Sequence, residues 1–105
     1  MMSLTIVTVA YRLRVPVVAF RDHAREVAER IAAAPGLVWK IWGLDEATGE
    51  GTSVYLFRDV ASADAFAEGP VLAELRDGPA DRVTVRLAPV VRDLSEITRA
   101  AAALA

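Results

Sequence analysis

Lys40 stands between two tryptophans in the run Trp39-Lys40-Ile41-Trp42, and it is the only lysine of the chain. A lysine inside an apolar run can snorkel to water, pair with an acid, or hold a ligand's phenolate or carboxylate. Trp39 and Trp42 are three positions apart, so on a strand they point to opposite faces. At most one of them lines a given pocket; the other packs in the opposite layer. Tyr55, in the next apolar run, offers a hydroxyl that can hydrogen-bond a substrate oxygen or donate a proton. The alternative is a core tyrosine with its hydroxyl satisfied. Tyr11 offers the same chemistry from the end of a strand. His23, the single histidine, is the one side chain whose ordinary pKa suits proton transfer near neutrality. It falls at the flank of an apolar helical stripe, where a partly exposed surface histidine is the competing reading. Phe66, on a later helical segment, is a candidate pocket wall beside Trp39, Lys40, Trp42 and Tyr55.

Other chemistries lack their residues. With no cysteine, one histidine and no acidic cluster at ligand spacing, neither a disulfide nor a metal site is expected. The chain has no Asn and no Gln, which excludes any mechanism that needs a side-chain amide. Gly49-Glu50-Gly51 joins two strands and leads into no helix, so it is no phosphate loop. No Ser-His-Asp arrangement is suggested. The net charge of -2 supplies no basic field for nucleic acid or an anionic membrane. The opening MMSLTIVTVAY has no basic start and breaks its apolar run at Thr5 and Thr8, so it reads as a strand and not a signal peptide. No run is long enough to span a bilayer. A soluble, cytoplasmic protein is expected, with no cofactor.

The elements that would position these residues follow from periodicity. Leu4 to Tyr11 is rich in β-branched residues and reads as a strand. Ala24, Val27, Ala28 and Ile31 recur at helical spacing between about Asp22 and Ala34, with Asp22 as cap or first-turn acid and Pro35-Gly36 as stop. Leu37 to Leu44 and Thr52 to Arg58 read as strands around a polar loop, Asp45 to Gly51. Asp59 to Asp77 is helical, with Gly69-Pro70 breaking it so that Pro70 starts a second segment. Arg82 to Val91 reads as a fourth strand, and Ser95 would cap a last helix. The order β-α-β-β-α-β over a single domain, residues 1–105, is the ferredoxin-like α+β arrangement: a four-stranded antiparallel sheet with two helices on one face.

Such a sheet ordinarily turns its other face to water. Here both faces are apolar. Val54 and Leu56 oppose Tyr55 and Phe57; Leu37, Trp39 and Ile41 oppose Val38, Trp42 and Leu44; Leu4 and Ile6 oppose Val7, Val9 and Tyr11. Hydrophobic residues make up 54% of the chain, above the usual ~45–50%. A second copy laid sheet to sheet covers the second face, and a homodimer is expected. The alternative is a monomer whose tail folds over that face; about ten residues are too few to cover four strands.

The run Pro35-Gly36-Leu37-Val38-Trp39-Lys40-Ile41-Trp42 resembles the PGhxWKhW signature (h, apolar) of the YdhR-like monooxygenase family. Tyr55-Leu56-Phe57-Arg58-Asp59 and the closing Leu94-Ser95-Glu96-Ile97 also resemble that family. The resemblance runs from the helix before Pro35 to the tail. It implies a dimeric α/β barrel and cofactor-independent oxygenation of a small aromatic of hydroquinone or polyketide type. Some oxygenases of the superfamily, haem-degrading members included, rely on an Asn with a Trp and a His. This chain has no Asn, so haem degradation of that kind is not expected. A non-catalytic homodimer that binds a small molecule fits the same residues. RNA-recognition motifs share the β-α-β-β-α-β order, but the basic-Gly-aromatic opening of their third strand is missing and the chain is acidic.

Overall fold

The computed structural model describes residues 3–105; Met1 and Met2 lie outside the described residues. Four strands, β1 (Thr5–Leu13), β2 (Leu37–Asp45), β3 (Glu50–Phe57) and β4 (Ala80–Pro89), form one sheet in the order β2-β3-β1-β4. All three neighbouring pairs are antiparallel. Between them run α1 (Val17–Ala32), α2 (Val60–Ala67) and α3 (Pro70–Asp77); α4 (Arg92–Ile97) and a short 3-10 turn (Ala102–Leu104) close the chain. This is the ferredoxin-like α+β arrangement.

The core lies between the sheet and α1 to α3. β1 contributes Val7, Val9 and Tyr11, and β3 contributes Tyr55 and Phe57; Phe20, Ile31, Ala63, Phe66 and Leu72 close over them. Ring centroids of Tyr55 and Phe57 lie 4.9 and 5.3 Å from that of Phe66, a separation typical of attractive aromatic pairs.

Two helix starts differ from the sequence reading. α1 begins at Val17 with Pro16 in the cap position, so Asp22 sits inside the helix and does not cap it. The cause is Phe20: it is 5% exposed, and only a helix begun before it can stack it on the Ala24, Val27 and Ile31 stripe. In α4, Ser95 is likewise internal, and its hydroxyl donates to the Val91 carbonyl at 2.7 Å. The break at Gly69-Pro70 is where the sequence puts it, with Pro70 opening α3. Asp59 caps α2, its carboxylate accepting from the Ser62 amide at 2.7 Å. β4 runs Ala80–Pro89, two residues earlier at each end than expected.

A register shift between Leu37 and Trp39 is the detail that matters most for β2. Val38 is the extra residue of a bulge, and Leu37 comes opposite Phe57 while Trp39 comes opposite Leu56. Leu37 therefore joins the helix-facing layer, not the layer of Trp39 and Ile41 as strict alternation predicts. Past the bulge, Lys40, Trp42 and Leu44 pair with Tyr55, Ser53 and Gly51 on the helix side.

The second face is partly covered by the tail. The Trp39 indole N–H donates to the Ala103 carbonyl at 2.6 Å, and Leu104 and Leu56 are buried. Ile41, beside Trp39, remains 58% exposed.

Candidate functional site

Alternation in β2 and β3 brings Lys40, Trp42, Tyr55 and Ser53 to one patch of the helix-facing layer, and Tyr11 joins them from β1. Tyr11 reaches the patch because its cross-strand partner is Gly51: a Cβ at that position would overlap the phenol ring. α1 and α3 roof the patch, and a partly open cavity of about 40 Å³ remains. Tyr11, Lys40, Trp42, Ser53 and Tyr55 form its floor; His23 and Phe20 enter from α1. Arg30 of α1 and Glu74 of α3 stand at its edge, joined by two hydrogen bonds of 3.1 and 2.7 Å. An adjoining groove of about 420 Å³ runs between α1 and the second half of β2 and shares Tyr11, Phe20, Ala24 and Trp42 with the cavity.

Lys40 dominates the electrostatics. Its Nζ lies 3.1 Å from the centroid of the Trp42 ring and 4.7 Å from that of Tyr55. The three ion pairs among the described residues do not include it. Two effects oppose each other. The ring faces favour the ammonium by roughly 1–2 kcal/mol, while loss of hydration disfavours it by several. Burial is the stronger, and it lowers the Lys40 pKa from 10.5 to about 7. Burial also raises the Tyr55 phenol, helped by the nearby Tyr11, and raises Tyr11, with the Ser53 hydroxyl pulling the other way. Both phenols therefore stay protonated near neutrality and remain hydrogen-bond donors.

Of the residues singled out in the sequence, Lys40, Trp42, Tyr55 and His23 meet at this cavity. Trp39 does not: it lies on the opposite face under the tail. Phe66 packs behind Tyr55 and borders a separate groove between the end of α1 and the α2–α3 corner. Ser53 escaped the sequence reading, although a serine two places before Tyr55 must share its face. Tyr11 was the weaker of the two tyrosine candidates; the glycine opposite it is the signal that gives it weight. Among the described residues no three His, Cys, Asp or Glu side chains gather as a metal site.

The arrangement can hold an oxygen-bearing group beside a nitrogen that gains or loses a proton near neutrality, and flank it with phenols and aromatic walls, of which Trp42 stays 40% exposed.

Several solved structures share this fold. SnoaB, a cofactor-independent oxygenase from Streptomyces nogalater, matches 86% of this chain with 95% of its own at a TM-score of 0.70 and 11% identity. The heme-degrader MhuD from Mycobacterium tuberculosis matches 83% with 95% of its own, at 0.54 and 18%. A dimeric ferredoxin-like protein from an uncultured marine organism matches 87% with 97% of its own, at 0.56 and 20%. At these identities the likeness is one of fold alone. No curated protein matches the chain. The model of the family described as putative mono-oxygenase ydhR matches residues 6–101, nearly the whole sequence, and the chain belongs to that family.

Proposed function

We propose that this protein is a cofactor-independent monooxygenase of a small, electron-rich aromatic, working as a homodimer. The observation that carries this reading is Lys40, held beside two aromatic faces in a partly open cavity with no carboxylate partner among the described residues. A hydroquinone or anthrone-like substrate, once deprotonated, can pass an electron to O₂ itself. Recombination forms a C–O bond, and loss of water leaves a carbonyl where the CH₂ of an anthrone stood, or a hydroxyquinone from a hydroquinone. The protein's part is to hold the anion, orient the ring and exclude water. Lys40 holds the oxyanion, and Tyr55 and Tyr11 donate to it. The cavity takes only the oxygen-bearing end; the ring lies in the groove against Phe20 and Trp42. Oxygenation is supported by membership of the family and by the fold shared with SnoaB.

The small cavity volume favours a second reading, a homodimer that binds a small molecule without turnover. Oxygen uptake with a panel of hydroquinones and anthrones, and no added cofactor, separates the two. Turnover that falls at least about tenfold in Lys40→Ala and Tyr55→Phe supports the oxygenase. Binding without uptake, unaffected by either substitution, leaves only the binding protein.

A further inference from the structure

Lys40 has a capacity that holding an anion does not use. Its half-buried side chain lines the cavity with Tyr11 and Tyr55, its Nζ lies over the Trp42 and Tyr55 rings, and it has no ion-pair partner among the described residues. The geometry points to Lys40 as a carbonyl-capturing amine: an aldehyde or unhindered ketone entering the cavity is held as an imine on Nζ. This rests on the same cavity as the proposed function but not on oxygenation.

The step balances without an oxidant or reductant. The Nζ lone pair attacks the carbonyl carbon, and the C=O π pair moves to oxygen, which takes a proton from Tyr55 or Tyr11. The nitrogen gives up a proton, restoring the phenol, and the hydroxyl leaves as water with the nitrogen's second proton as C=N forms. Amine and carbonyl become imine and water. Three features of the site serve this. Desolvation leaves a large share of the amine unprotonated at neutral pH, which an activated lysine needs. The phenols stay protonated and can supply the carbinolamine oxygen. The cavity, about 40 Å³, has room for roughly three waters, which suits a carbonyl head of few heavy atoms. A longer substituent runs out into the groove of about 420 Å³.

Because the chain has one lysine, the test has one internal competitor, the N-terminal amine. The full-length protein is treated with propanal and cyanoborohydride at neutral pH, and peptide mapping reads the reduced adduct at each amine. The same reaction in concentrated urea gives the rate for an ordinary, solvated Lys40. The folded protein is expected to alkylate Lys40 at least about 50-fold faster than the unfolded chain, since on the order of a thousandfold more of the amine is free, offset in part by the lower nucleophilicity of a less basic amine. Lys40→Arg is expected to lose that adduct and keep the N-terminal one. Alkylation confined to the N-terminus, or Lys40 reacting no faster folded than unfolded, overturns the inference. A protein that consumes O₂ but forms no adduct sinks this inference alone; one that forms the adduct but consumes no O₂ sinks the oxygenase reading alone.

Discussion

Lys40 carries opposite consequences for stability and for chemistry. Its pKa is 10.5 in the unfolded chain and about 7 in the native one. Between those values the unfolded state holds a proton that the native state lacks. Unfolding then takes up protons, and native stability rises with pH across that window. Below about pH 7 the native protein must charge a desolvated amine, at a cost on the order of 5 kcal/mol. Lys40→Met, of similar length and without charge, is expected to be more stable than the parent at pH 6. The gap closes as pH approaches 10, and urea titrations across that range measure it. A parent protein whose stability is flat from pH 6 to 10 would show that Lys40 is hydrated in the native state. The tyrosines act in the other sense. With native pKa values raised above 10.0, their contribution is present below that pH and lost above it. The sequence singled out Lys40 by type and setting. It could not say that the amine lacks a carboxylate partner, because that depends on what α1 and α3 bring across the sheet.

At the scale of elements, the site depends on strand pairing more than on any helix. Tyr11 lies over Gly51 because β1 and β3 pair in that register. Gly51→Ala is expected to cost roughly 1–3 kcal/mol, since the added methyl must displace a buried aromatic ring. Chemical denaturation reads that cost, and an unchanged midpoint would show that the ring has another place to go. A turn restriction of a different kind acts at Gly36, where φ is +78° and a side chain would strike Ser62. The bulge at Val38 decides which face Leu37 serves, and alternation alone assigned it wrongly. A bulge adds one residue to a strand without any marker in residue type, so the pattern of apolar positions reads straight through it. The start of α1 was misplaced for a related reason. Val17 and Val18 are weak helix formers, and the pull of Phe20 toward the core overrides them.

At the scale of the whole molecule, the second face of the sheet is only partly covered. The tail takes the end around Trp39, but Ile41 remains 58% exposed, as do Leu94 and Ile97 of α4 at 60% and 78%. Isolated exposed apolar residues are ordinary; large ones on an apolar sheet face and its flanking helix fit a protein interface. Size-exclusion chromatography with light scattering is expected to give twice the chain mass of 11.3 kDa. Ile41→Asp is expected to weaken the dimer at least about tenfold by burying an unpaired carboxylate. A parent that stays monomeric at micromolar concentration removes the dimer from the proposal. The sequence by itself determined the order of elements, the antiparallel sheet and the split of Trp39 from Trp42, because apolar periodicity is local and side chains on a strand must alternate. Only the tertiary structure decided that Trp42 and not Trp39 borders the cavity, and that His23 and Lys40 meet there while Phe66 does not. Those outcomes turn on one bulge, one docked tail and the packing of α1 and α3, contacts between residues far apart in the chain that leave no periodic trace in it.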